Sequence, residues 1–102
     1  MPRAGGIIKG GSTSAISAEF EIHNHKYHFT GTLSSDYVPF SCLNATIEYD
    51  SASMLNSSEI EFHGNLESFS MTITMDNGPK IHGRLDKPVS STTAISGTGS
   101  WA

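Results

Sequence analysis

Hydrophobic and polar positions alternate with a period of two along most of the chain. Ile16, Ala18, Phe20 and Ile22 are interleaved with Ser17, Glu19 and Glu21, which gives an extended segment one apolar face and one wetted face. The alternation returns in Tyr27, Phe29, Gly31 and Leu33, in Leu43, Ala45, Ile47 and Tyr49, and in Ile60, Phe62 and Gly64. Phe69, Met71, Ile73 and Met75 continue it, followed by Ile81, Gly83 and Leu85, then Ile95, Gly97, Gly99 and Trp101. With the short Ile7-Ile8 segment these make about eight strands at the spacing of a sandwich or barrel. No window sustains a helical period, so the pattern predicts an all-β protein.

The turn residues agree. Asp76-Asn77-Gly78 is a hairpin signal, because Asn and Gly tolerate the positive φ of a tight turn. His23-Asn24-His25 separates two alternating runs and reads as another short turn. Asp86-Lys87-Pro88 ends its strand, since proline cannot donate a ladder hydrogen bond. Longer loops are expected at Ser34–Ser41 and Asp50–Ser57. Strands joined this closely pair antiparallel, because parallel neighbours need a long crossover.

Three segments share the pattern apolar-x-Gly-x-Leu: Phe29–Leu33, Phe62–Leu66 and Ile81–Leu85, with Ile95–Gly99 a degenerate fourth. Their glycines fall on the inward parity. There they let a strand bend or let a neighbour's aromatic ring lie across the backbone. An open sheet of eight strands would expose two edges, and both ends of this chain are rich in Gly and Ser rather than guarded by charge. The expectation is therefore a small antiparallel barrel, closed or nearly closed, with the first strand against the last. A two-sheet sandwich is the runner-up. The inward set is Phe20, Tyr27, Phe29, Phe62, Phe69, Met71 and Ile73, enough to fill such a barrel or to surround one small ligand.

Composition narrows the classes that remain. At 102 residues the chain is one domain, residues 1–102, and 25 Ser and Thr with few Lys and Arg suit strands better than a helical bundle. A net charge of −4 leaves no basic surplus for nucleic acid or an anionic membrane. No apolar run reaches the length of a transmembrane helix or a secretory signal. The default compartment is the cytoplasm, with secretion after removal of a signal left open. Cys42 is the single cysteine, so packing rather than a disulfide must hold the fold.

Candidate chemistry is sparse. His23, His25 and His28 lie within six residues and are the candidates for a metal, with Glu21 as a further ligand, but they match no established ligand spacing. His63 and His82 hold equivalent places in the glycine pattern and would face each other if their strands paired. Glu19 with Glu21, and Glu59 with Glu61, repeat two residues apart and read as solvated strand faces rather than a catalytic pair. No nucleophile elbow is present, no catalytic residue is assigned, and no cofactor is expected.

Aromatic residues carry the remaining expectation. Tyr37 and Phe40, beside Asp36, make the loop before residue 41 too apolar for a merely solvated connection, and Tyr49 and Trp101 lie near strand ends. Asp36, Tyr37, Phe40, Tyr49 and Trp101 are therefore the candidate contacts of a non-enzymatic module that binds a partner protein or a carbohydrate through loops at one end of the barrel. A carrier of a small apolar ligand in the interior is the alternative, and a small hydrolase using Glu or His the second. A core this small also makes homo-oligomer contacts a reasonable supplement.

Overall fold

The computed structural model describes residues 3–11, 14–34, 39–56, 59–89 and 92–101, and in it eight antiparallel strands close into a barrel. The strands are β1 (Arg3–Gly10), β2 (Ala15–Ile22), β3 (His25–Leu33), β4 (Phe40–Glu48), β5 (Ile60–Leu66), β6 (Ser70–Met75), β7 (Lys80–Arg84) and β8 (Thr93–Trp101). A short 3-10 helix, Ala52–Asn56, interrupts the connection from β4 to β5. Among the described residues no helix is long and apolar enough to cross a membrane.

Around the barrel the order is β1-β2-β3-β8-β5-β6-β7-β4, and β4 returns to β1. Closure thus differs from the expected pairing of first strand with last. β1, β2 and β3 form a meander and β4 crosses back to lie beside β1. β5, β6 and β7 repeat the plan, and β8 crosses back to β5. Each half is a Greek key of spatial order 4-1-2-3, and the β3–β8 and β7–β4 pairings seal the two halves together. No strand keeps a free edge to template pairing with another chain.

The interior is filled by the inward set. Phe20, Phe29, Phe62, Met71, Ile73 and Met75 are buried with Ile8, Ile47, Leu66, Ile81 and Ile95, and no polar or charged residue among those described is buried with them. Tyr27, also expected inward, packs against this core but is only partly buried. Inward glycines make room for the rings. A Cβ at Gly99 would lie 2.6 Å from the tip of Phe29, one at Gly97 2.9 Å from Phe62, and one at Gly6 2.7 Å from Phe20. Each phenylalanine therefore occupies the space its neighbouring strand vacates, which is what allows a narrow barrel to hold three rings without a void. Phe29 contacts both Phe62 and Trp101 at centroid separations of 5.8 and 5.1 Å.

Two segments depart from simple alternation. In β4 the inward parity changes between Cys42 and Ala45, so Leu43 and Asn44 both point outward while Phe40, Cys42, Ala45 and Ile47 are buried. The register of β1 against β4 shifts at the same place, from Gly6↔Ala45 to Ile8↔Cys42, so one residue of β1 faces two of β4. This is a β-bulge, and it turns Leu43 out of the expected inward run. His23 and Asn24 form the β2–β3 turn with φ of 51° and 64°, the positive pair of a tight hairpin.

Candidate binding site

The connections divide between the two ends of the barrel. One end carries the β1–β2 turn, the β3–β4 loop, the β5–β6 turn and the β7–β8 connection. The other carries the β2–β3 and β6–β7 hairpins and the segment containing the 3-10 helix. The helix-bearing end is sealed: Leu55 of the helix and Tyr49 before it join the core. Asn77 in the β6–β7 turn donates its Nδ2 hydrogen to the Met54 carbonyl at 2.9 Å.

The opposite end is open to a cleft of about 450 Å³, beside Gly10, which ends β1 paired with Ile16 of β2 and Phe40 of β4. Ala15, Ile16, Pro39 and Phe40 form its apolar surface, and Lys9 and Lys87 stand at its margin. Backbone hydrogen bonds hold the far lip, from Asp86 N–H to the Ser41 carbonyl at 2.9 Å and from Val89 N–H to the Ser68 carbonyl at 3.1 Å. The Asp86 carboxylate also accepts from Ser41 Oγ at 2.9 Å and from Leu43 N–H at 3.3 Å. Among the described residues no carboxylate lies within ion-pair distance of either lysine.

The five aromatic and acidic candidates do not assemble as one rim. Asp36 and Tyr37 lie outside the described residues. Phe40, Tyr49 and Trp101 are only 5–6% exposed, so they present no ring platform to solvent. Each has a structural reason for burial. Phe40 lies over Gly10, whose Cβ would come within 3.1 Å of the ring. Tyr49 enters the sealed end, and Trp101 packs 6.4 Å from Phe20 as well as against Phe29. Trp101 Nε1–H has no hydrogen-bond partner among the described residues. Of the three, Phe40 alone reaches the cleft, from its inner side. Phe69, expected inward, is instead 57% exposed. It sits in the β5–β6 turn, its carbonyl accepting from Leu85 N–H at 2.8 Å, and borders an outer cleft with Thr72, His82 and Arg84.

The histidines are dispersed. His23 sits in its turn, His25 lies against Tyr27 with centroids 4.7 Å apart, and His28 is 3.3 Å from Glu19 across the β2–β3 pair. No group of three His, Cys, Asp or Glu among the described residues could hold a metal. His63 and His82 do not face each other, because β6 lies between their strands and pairs Thr74 with His63 and Thr72 with His82. One arrangement had no signal in the sequence. His82 Nε2 lies 2.8 Å from Glu48 Oε2, and Arg3 Nε lies 3.7 Å from Glu48 Oε1. Only the strand order brings β7, β4 and β1 side by side. Cys42 is enclosed, and burial together with the Asp86 carboxylate raises its thiol pKa to about 11. At neutral pH it is a protonated apolar filler rather than a nucleophile. Compared with known proteins, the chain matches no family model, no curated protein and no solved structure.

Proposed function

We propose that the protein is a binding module whose contact region is the open end of the barrel, and that its ligand is a protein segment. The observation that supports this is the apolar cleft beside Gly10, with Phe40 and Ile16 at its floor and two cations without carboxylate partners at its margin. Concave apolar surface with a few polar groups at its edge is the usual form of a recognition site. In the sequence, Asp36 and Tyr37 directly precede Pro39 and Phe40 of the cleft. A protein segment fits better than a carbohydrate because sugar recognition needs an exposed ring face, and the cleft's ring is seen mainly from inside the core. The interior reading gains no comparable support, since Phe20, Phe29 and Phe62 occupy the space a carried ligand would need.

The test is an amide-resolved NMR screen of the whole chain against acetylated apolar dipeptides and a panel of oligosaccharides. The dipeptides are expected to shift the amides of Gly10, Ala15, Ser17, Ser41 and Lys87, and Ala15→Trp, which fills the cleft from an exposed position, removes those shifts. Tyr37→Ala weakens binding while leaving the fold intact. Oligosaccharide-induced shifts at these amides would replace the protein segment with a sugar. Dipeptides that leave these amides unmoved would end the cleft reading.

A further inference from the structure

The tie that holds the sealed end is built on a reactive dipeptide. Of the five asparagines in the chain, Asn77 is the one followed by glycine. An asparagine amide is attacked by the backbone nitrogen of the next residue, and a side chain on that residue hinders the approach. Glycine has none. Asn77 and Gly78 are both exposed in the β6–β7 turn, so water and a solvent base can reach them.

The fold ties down each group that the reaction needs. The Asn77 Nδ2 nitrogen, which must leave, donates to the Met54 carbonyl at 2.9 Å. The Gly78 nitrogen, which must attack, donates to the Met75 carbonyl at 2.9 Å. Met75 N–H in turn donates to the Pro79 carbonyl at 2.9 Å and closes the turn. Met54 supplies a further hold through its side chain, because a Cβ at Gly78 would lie 2.5 Å from its methyl. Met54 is placed by its own N–H on the Ser51 carbonyl at 3.0 Å and by the neighbouring Leu55, which is wholly enclosed. The holds on Asn77 and over Gly78 thus both come from the 3-10 helix, and both are lost when the helix lifts from the mouth.

We infer that Asn77 is a site of spontaneous deamidation gated by the 3-10 helix, and that the modification keeps the helix from sealing the barrel again. Once the turn is freed, the Gly78 nitrogen loses its proton to a solvent base and attacks Cγ of Asn77. The N–Cγ bond forms, the Cγ–Nδ2 bond breaks, and the leaving nitrogen takes a proton from water and departs as ammonia. Water then opens the cyclic imide at one carbonyl or the other, which leaves aspartate or isoaspartate. No oxidant or reductant is consumed. Either product has lost the donor that held the Met54 carbonyl. The new carboxylate is ionised at neutral pH and can only accept, so it meets that carbonyl oxygen with no hydrogen between them. Asp76 beside it adds a like charge. Isoaspartate also lengthens the backbone path through a turn whose hydrogen bonds fix its length. The seal is therefore a latch that works once, and the binding reading neither requires it nor depends on it.

The test follows intact mass and peptide maps of the whole chain during incubation in mildly alkaline buffer, folded and in urea. Conversion at residue 77 is expected in both, about tenfold or more slower in the folded chain. Leu55→Ala, at the sealed end, should speed the folded reaction about tenfold. Leu66→Ala, also buried but near the other end, should speed it far less for a similar fall in melting temperature. Should Leu55→Ala fail to fold, Met54→Ala uncovers Gly78 without opening the core and should give a smaller acceleration. The isolated deamidated protein should melt about 4–8 °C lower than the parent and exchange the amide hydrogens of the 3-10 helix faster. Asn77→Asp should reproduce both changes, and Asn77→Gln should show no comparable conversion. A folded chain that converts as fast as the unfolded one would overturn the gate, and a folded chain that never converts would overturn the site. Equal acceleration by Leu55→Ala and Leu66→Ala would assign the reaction to global unfolding and end the inference. So would a deamidated protein whose helix amides exchange as slowly as the parent's, because the seal would then survive the modification.

Discussion

The two ends of this barrel are built by opposite means. At one end two tight hairpins and a 3-10 helix close the mouth, Leu55 is wholly enclosed and Asn77 ties the helix to the β6–β7 turn. At the other end a cleft lined by Ala15, Ile16, Pro39 and Phe40 remains beside Gly10, Lys9 and Lys87. A small barrel must cover its mouths to keep water from the core. Where the covering is complete the residues serve stability, and where it is partial the same kind of surface is left accessible, as the proposed binding module requires. Substitutions at the sealed end should therefore change folding, and those at the open end should change binding.

The largest effect expected is at Leu55. Its truncation to alanine leaves a void under the helix, and should cost about 2–5 kcal/mol in urea unfolding. A smaller loss, comparable with that of a surface substitution, would mean that the helix does not seal the mouth.

Cys42 sharpens the comparison through pH, because it lies in the packed wall just below the open end. Its folded pKa of about 11 lies above the ordinary thiol value of 9.0, so folding favours the protonated thiol. The associated stability is fully present below pH 9 and is lost as pH rises through 11, in total roughly 2–3 kcal/mol for a rise of that size. Cys42→Ala should lower stability at neutral pH through the cavity it leaves but remove this part of the alkaline decline. The check is the difference between the two stability-against-pH curves. Parallel curves would show the thiol to be solvated, and so the wall beside the cleft to be loosely packed.

Much of this architecture was legible in the residue pattern, and the exceptions have definite causes. The alternation marked the strands, and Asp76-Asn77-Gly78 and His23-Asn24 marked their turns. The crossings of β4 and β8 were not readable, because a loop's length does not reveal which strand it passes. The bulge at Leu43 and Asn44 was visible only as a change of parity between Phe40 and Cys42 before it and Ala45 and Ile47 after it. Taking Leu43 with Ala45 put one residue on the wrong face, because one inserted residue reverses every orientation beyond it. Position near a strand end does not reveal whether an aromatic side chain contacts a ligand or joins the core. Trp101 proved to be core, packed against Phe29 and Phe20, and Tyr49 joins the core at the helix-bearing end. The Arg3–Glu48–His82 cluster had no sequence signature, since its members come from opposite ends of the chain and meet only through the pairing of β4 with β1 and β7.

The next effect in size tests whether helix and hairpin at the sealed end form one unit. Gly78 has φ of 119°, and a Cβ there would lie 2.5 Å from Met54 Cε. Gly78→Ala should cost about 1–3 kcal/mol from backbone strain and that contact together. Met54→Ala in the same chain should return part of the loss, because the clashing methyl is gone while the strain remains. A double-mutant cycle in thermal unfolding measures the coupling. Strictly additive losses would separate helix from hairpin.

The smallest stability effect belongs to the open end and is the most discriminating. Lys9→Gln and Lys87→Gln remove exposed charges that hold no ion pair among the described residues, and Ala15→Trp adds a ring from an exposed position into the cleft. Each should stay within about 0.5 kcal/mol of the parent in urea unfolding, because no buried contact is broken. The same three substitutions should depress peptide binding, the lysine pair mainly at low salt, where unscreened charge contributes most, and the tryptophan at every ionic strength, because it acts by occupying space. Were Ala15→Trp to unfold the protein as Leu55→Ala does, the cleft would be part of the core and the distinction between the ends would fail. A folded Ala15→Trp barrel that has lost its ligand separates the two roles, with stability held at the helix and recognition at the cleft beside Gly10.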